Sequence, residues 1–297
     1  RALFETGTVA FLPTVITSAM TVYNRVLPII AEVSTESEFQ GRILGIHLEG
    51  PFISSQPGAV GAHRPEYTLQ PNIAKMQKLI ELSNDTVRLI TIAAELDGAE
   101  EFCRWCTTRP DRSEGPQIKV ALGHQLASAE QLSTLERAGA CMLTHLGNGM
   151  PNSVHRHHNP LLAGLSCTGL KAGVIADGFH LPPHVLKVIL LCKGIEGFVA
   201  VSDMAPICGC KPGEYDCLGT RVRLEENCRV SEVGKDNLAG SGSTMLQCAN
   251  VLREQLKVHF ILIKWERCAV REVSSVVTVF LFLFLFFRCN CNRGHRR

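Results

Sequence analysis

Two rhythms of apolar and polar positions alternate along this chain. Short apolar runs, each stopped by a polar residue, Gly or Pro, read as buried strands. Between them lie stretches with apolar residues three and four apart, the spacing of an amphipathic helix. Thr8–Ile16 (TVAFLPTVI) is the first strand-like run. Ser18 is placed to cap the amphipathic stretch Ala19–Ala31, which Pro28 interrupts. Ile43–Glu49 is a strand that ends at Gly50-Pro51. Ile73–Leu82 has an apolar side made by Ile73, Met76, Leu79, Ile80 and Leu82. Val87–Ala94 is a third strand and Ala99–Cys106 a helix. Ile118–Leu122 is a fourth strand, and Ser128 with Gln131 has the spacing of a capping box. Cys141–Thr144, Gly173–Ala176 and Phe198–Ser202 are further strands. Pro182–Cys192 is a helix that opens on prolines, as a first turn permits. A Gly-rich loop at Leu238–Ser243 precedes a helix near Thr244–Leu256.

Alternating strands and helices predict a parallel sheet with crossover helices. Seven strands fit an α/β fold of the (β/α)8 TIM-barrel type, incomplete by its first strand, better than a short open sheet. The polar residues carry the second clue. Glu49, His124, His145, Asp177 and Asp203 all stand at or just past strand C-termini, the ends that converge on one mouth in a barrel. His47 and Glu49, two apart in a strand, share a face. An open doubly wound sheet would instead carry an early glycine fingerprint; neither G-x-G-x-x-G after a strand nor a P-loop is present.

Composition narrows the class. The chain has 297 residues, 45% of them hydrophobic, enough for a sizeable core. A formal charge of +2 without a long basic block in the body argues against nucleic acid as a partner. Thirteen cysteines in a chain this long read as reduced thiols of an intracellular protein. Cys103 and Cys106 form a C-x-x-C with no second pair at zinc-ribbon spacing, so core packing is the expectation. The chain opens on Arg1, and a strand pattern follows almost at once. It reads as starting inside a fold, without a signal peptide.

Two imidazoles and a carboxylate, Glu49, His124 and His145, make a common catalytic zinc set with one position left open. A lone strand-end histidine is more often a structural residue, so the case rests on convergence. Asp203, in VSDM, is placed to accept a proton from an activated water and return it to a leaving group; the bland alternative is a cap of the following segment. His63 and His180 are candidate donors to an oxyanion or to substrate hydroxyls, or ordinary loop histidines. Arg156, in VHRHHN, suits a phosphate or carboxylate, or belongs to a solvated loop.

These motifs together resemble the N-acetylglucosamine-6-phosphate deacetylase family of the amidohydrolase superfamily. The matching residues are HLEGPF at His47–Phe52, GAH at Gly61–His63, LGH at Leu122–His124, THLGNGM at Thr144–Met150, Arg156, DGFH at Asp177–His180, VSDM at Val201–Met204 and LAGS at Leu238–Ser241. They keep the family's order from roughly Thr6 to Leu256. The resemblance implies a metal-dependent hydrolase that removes acetate from the 2-acetamido group of a phosphorylated amino sugar. It implies one divalent ion, zinc, on Glu49, His124 and His145, with Asp203 as general base and then acid. It implies substrate contacts from Ala62, His63, Asn148, Gly149, Arg156, Asp177 and His180, Arg156 taking the phosphate, and closure by Leu238, Ala239 and Gly240. A cytoplasmic homodimer is expected, with no nucleic acid or membrane partner.

The chain also departs from that pattern. Gly147-Asn148-Gly149-Met150 stands where the family has Phe-Asn-Ala-Met, and two extra glycines are expected to loosen a substrate loop. The Arg156 loop reads RHHNP in place of a shorter acidic turn. The family's small β-sandwich and first barrel strand are not visible. Residues 1–257 read as the barrel domain, and residues 258–297 as a tail foreign to the family, disordered or artefactual. Within it Val276–Phe287 is about twelve mostly apolar residues, short of the roughly 18 that a spanning helix needs. The rival readings are a different amidohydrolase, such as a dihydroorotase-like enzyme, and an inactive relative that only binds sugar phosphate.

Overall fold

The computed structural model describes residues 1–110, 117–235 and 237–256. The expected tail, residues 258–297, lies outside them. In chain order the elements are α1 (Ala2–Glu5), β1 (Thr14–Ile16), α2 (Met20–Thr35), β2 (Ile46–Glu49), α3 (Ile73–Leu82), β3 (Val87–Ile92), α4 (Ala99–Thr108), β4 (Lys119–Leu122) and α5 (Ala129–Arg137). There follow β5 (Met142–Leu143), α6 (Pro160–Ser166), β6 (Lys171–Ile175), α7 (Pro183–Gly197), β7 (Phe198–Val201), β8 (Gly213–Cys217), β9 (Thr220–Leu224), β10 (Val230–Glu232) and α8 (Met245–Leu256).

Strands β1 to β7 form one parallel sheet in sequential order. It curls with helices on its outer face, the incomplete TIM-type barrel that the sequence predicts. The outer face is aliphatic: Leu48, Ile90, Ile92, Val120, Leu122, Leu143 and Val174 pack with Tyr23 and Leu27 of α2, Met76 and Leu79 of α3 and Phe102 of α4. Strands buried on both faces read as continuous apolar runs, which is why β3 and β6 are so legible. The inner face has a small apolar floor made by Leu89, Ala121, Met142 and Val199.

Several helices follow their local chemistry closely. Asn72 caps α3 through Lys75 N–H, and Ser128 and Gln131 close both halves of the capping box on α5. Pro28 sits inside α2, whose buried stripe Tyr23, Leu27, Ala31 is uninterrupted. Cys103 and Cys106 are fully buried on α4, as packing residues.

The largest differences from the sequence reading are the starts of the first two strands, the others shifting by one or two residues. Of Thr8–Ile16, only Thr14–Ile16 joins the ladder, because Pro13 has no N–H to donate; Phe11 keeps an isolated bridge to Ile43. The second strand starts at Ile46 rather than Ile43, after Gly45, whose positive φ breaks the extended run.

A second, three-stranded antiparallel sheet, β10–β9–β8, follows β7 and has its own small core of Ile207, Cys217, Val222, Leu224 and Val230. Its β8–β9 hairpin tip is tied back to the barrel, where Arg64 Nη2 donates to the Gly219 carbonyl at 2.6 Å.

Candidate active site

Parallel register sets the heights of the polar tips. Glu49 pairs with Thr91, Thr91 with Ala121, and Ala121 with Met142, so His124 and His145 stand level with each other, each three residues beyond the height of Glu49. Ile175 pairs with Val201, so Asp177 and Asp203, each two residues on, also leave together. Three of these residues have left-handed backbones: His124 (φ 50°), His145 (φ 30°) and Asp203 (φ 49°). Non-glycine residues there cost on the order of 1–2 kcal/mol each. The strands end in abrupt turns that aim side chains across the mouth.

The side chains meet. His124 Nε2 lies 3.1 Å from Glu49 Oε1, His145 Nε2 lies 3.0 Å from the same oxygen, and the two imidazole nitrogens are 3.0 Å apart. His63 Nε2 is 3.1 Å from His124 Nε2 and 4.0 Å from Glu49 Oε2. All four residues are buried. Glu49, His63 and His124 together have the spacing of a metal-holding group.

The tautomer of His124 follows from its neighbours. Its Nδ1 is 2.9 Å from the Ala59 carbonyl, which only accepts, so Nδ1 carries the proton and Nε2 presents a lone pair. The His124 lone pair and the Glu49 carboxylate repel each other at 3.1 Å, and a cation between them would relieve that repulsion. Ligand atoms on a tetrahedral ion with bonds of about 2.0 Å sit about 3.3 Å apart, close to the spacing found. The donor set therefore fits a divalent ion of the zinc type.

Electrostatics agree with a cation-seeking cluster. Burial alone would raise the Glu49 carboxyl, but the facing imidazoles of His124 and His145 outweigh it and hold the group well below the ordinary carboxylate range. Burial, then the neighbouring His124, pushes His63 down to about 3, keeping that ring neutral. Burial disfavours a charged His145, but its contact with Glu49 raises it on balance. Asp203 is raised, by burial first and then by the charge of Glu49.

The remaining site residues fall into two groups. Asp177 accepts from Phe179 and His180 N–H through Oδ1, and its Oδ2 lies 2.7 Å from His180 Nδ1, so it orients His180. Asn148 donates through its backbone and side chain to the His145 carbonyl. Gly149, at φ 58°, presses on His124; a Cβ there would meet Nδ1 at 2.9 Å. That glycine fits close approach rather than a loosened loop. Ser241 N–H donates to the Asp203 carbonyl and Ala239 N–H to Val230, so the Leu238–Gly240 segment is fastened to Asp203 and to the small sheet. Arg156, by contrast, lies on an exposed loop and makes no hydrogen bond among the described residues. Ala62 is exposed beside buried His63.

One layer has no role in the sequence reading. His47 Nδ1 is 3.0 Å from Thr14 Oγ1 and its Nε2 is 2.9 Å from Thr91 Oγ1, which lies 2.8 Å from Thr144 Oγ1. This polar chain lies between the apolar floor and the cluster of Glu49 and the histidines. Burial pushes His47 down to about 4, so it is neutral. The available sequence signal was positional: His47 is two before Glu49, and Thr144 immediately precedes His145.

No protein-family model matches the chain. A Caenorhabditis elegans N-acetylglucosamine-6-phosphate deacetylase is 31% identical over 258 residues, covering 84% of this chain and 58% of that protein. An Escherichia coli O157:H7 N-acetylgalactosamine-6-phosphate deacetylase is 30% identical over 235 residues, covering 79% and 59%. This chain thus spans about three-fifths of the curated relatives it matches. A mutant Mycobacterium smegmatis N-acetyl-D-glucosamine-6-phosphate deacetylase, solved with N-acetyl-D-glucosamine-6-phosphate, superposes with a TM-score of 0.77 at 25% identity, covering 87% of this chain and 65% of that one.

Proposed function

From the chain's membership, over its barrel segment, of the N-acetylglucosamine-6-phosphate deacetylase family, we propose that it hydrolyses the 2-acetamido bond of N-acetyl-D-glucosamine 6-phosphate, giving D-glucosamine 6-phosphate and acetate. The observation that carries this reading is the meeting of Glu49, His124 and His145 within 3.0–3.1 Å at the tips of β2, β4 and β5.

Glu49, His124 and His145 would hold one zinc-type ion. Such an ion acts as a Lewis acid and lowers the pKa of a coordinated water from about 15.7 toward about 7. The residues do the rest. Asp203, raised by burial and by Glu49, is basic enough to accept the proton of the attacking water. The same carboxyl then returns that proton to the departing amine nitrogen. His180, fixed by Asp177, donates to the carbonyl oxygen as it gains charge; one such donor is typically worth about 3–4 kcal/mol. Arg156, with no internal partner among the described residues, takes the phosphate. Asn148, Gly149, Ala62 and the Leu238–Gly240 segment line the sugar.

No described helix is long and apolar enough to cross a membrane. A charged sugar phosphate as substrate supports a cytoplasmic enzyme, and the family resemblance implies two copies per assembly.

The galactosamine relative favours a second reading at one carbon, with the C4 epimer as substrate. Acetate release from the 6-phosphates of N-acetylglucosamine and N-acetylgalactosamine, and from unphosphorylated N-acetylglucosamine, tests both. We expect release from a 6-phosphate only, loss of activity on dialysis against a chelator, and recovery with zinc. Equal activity after complete metal removal would overturn the reading.

A further inference from the structure

Resting on that reading, we propose that Cys208 is a positioning residue for Asp203, acting through Gly242 and Ser241. The Asp203 carboxylate has no hydrogen bond to another described residue, so its aim depends on its main chain. That main chain is left-handed, at φ 49°. A non-glycine residue keeps such a conformation only where its surroundings impose it. Ser241 does the imposing. Its N–H donates to the Asp203 carbonyl at 2.9 Å, its carbonyl accepts from Ala205 N–H at 2.8 Å, and the residue is wholly buried.

Ser241 is held in turn through the next residue. Gly242 N–H donates to the Cys228 carbonyl at 3.1 Å, and the Cys208 thiol donates to the Gly242 carbonyl at 2.9 Å. Cys208 N–H donates back to the Ala205 carbonyl at 3.0 Å. The path Ser241, Ala205, Cys208, Gly242 thus closes on itself, and the thiol supplies its one side-chain bond. Glycine on either side of Ser241 permits this tight seating. A Cβ on Gly240 would stand 3.2 Å from the Asp203 carbonyl oxygen, and one on Gly242 would stand 2.5 Å from the Cys228 carbonyl oxygen. Burial pushes the Cys208 thiol up, so at neutral pH it keeps the proton that it donates.

The bond matters for rate more than for stability. A thiol is a weak donor, and losing it leaves the fold with its other contacts. A small misplacement of a reacting group, by contrast, is costly in turnover. Without the thiol, the Gly242 carbonyl is released, Ser241 gains freedom, and the Asp203 main chain moves with it.

A double-mutant cycle on kcat tests this. Cys208→Ala is expected to lower kcat about tenfold while KM changes by less than about twofold. Cys208→Ser, whose hydroxyl donates to the same carbonyl, is expected to return kcat to within about threefold of the unsubstituted protein. In an Asp203→Asn background, Cys208→Ala is expected to lower the residual kcat by less than about twofold, because nothing is left to position. The full loss in that background, or a loss carried by KM alone, would overturn the proposal. Cys208→Val fills the space without a donor and takes the place of the alanine variant if that one does not fold. Amide hydrogen exchange at Ser241 reads the same link without turnover. Its N–H is expected to exchange about tenfold faster in Cys208→Ala, and at the unsubstituted rate in Cys208→Ser. An unchanged rate in Cys208→Ala would overturn the proposal. If the unsubstituted, zinc-loaded protein releases no acetate, the deacetylase reading fails, and the exchange rates alone decide whether Cys208 holds the Asp203 main chain.

Discussion

Strand β3 shows two ways of building with one segment. Ile90 and Ile92 face the helices, are wholly buried, and belong to the main hydrophobic core. Leu89 faces the other way, onto the small apolar floor, and Thr91, two residues along, belongs to a hydrogen-bonded chain below Glu49 and the histidines. On the outer face, volume and apolarity are the requirement, and many sequences meet it. Along the inner face, the requirement changes within two residues from filling space to satisfying donors and acceptors. Stability is concentrated on one side and specificity on the other.

Substitutions can break that division. The largest effect is expected at Asp203. Asp203→Asn should lower kcat about 10³-fold, roughly 4 kcal/mol, while zinc content and melting temperature stay unchanged. Near-native turnover would remove Asp203 from the chemistry. On the outer face, Ile90→Ala should lower unfolding free energy by about 3–4 kcal/mol through its cavity, with zinc affinity of the folded protein unaltered. A chemical denaturation curve with metal titration separates the two quantities; a large loss of zinc affinity would show that the faces are not independent.

His47 gives the smallest effect, and it depends on pH. Its folded-state pKa of about 4 lies below the ordinary value of 6.5. An unfolded chain therefore takes up a proton that the native chain refuses. The contribution is complete above pH 6.5 and is lost as pH falls toward 4, at most about 3 kcal/mol. His47→Gln should lose less stability between pH 7 and pH 4.5 than the unsubstituted protein. Equal losses in urea denaturation would show that His47 protonates in place.

The division also explains what could be read from the sequence. The strands and helices of the barrel were legible because doubly buried strands make apolar runs and α3 and α5 carry proper caps. Glu49, His124, His145 and Asp203 were legible because each interrupts such a run at its end. The small sheet was not. Strand β9, Thr-Arg-Val-Arg-Leu, alternates correctly, but β8 carries Gly213, Glu214 and Asp216, and their hairpin turns at Leu218-Gly219, both at positive φ. The usual signal for that turn is Asn-Gly, and leucine conceals it. Helix α6, Pro160–Ser166, is too short for a periodic stripe to show. The approach of His63 to the ion cluster was hidden for another reason: loop residues gain their neighbours from tertiary contacts that no periodicity records.

The left-handed backbones of His124, His145 and Asp203 have a consequence for anyone altering this mouth. Main-chain shape screens the replacements before chemistry does. Asparagine enters that conformation readily, whereas valine, isoleucine and threonine resist it. A β-branched replacement would distort the turn and confound shape with reactivity. An amide in place of the acid at position 203 keeps the outline and takes away only the basicity.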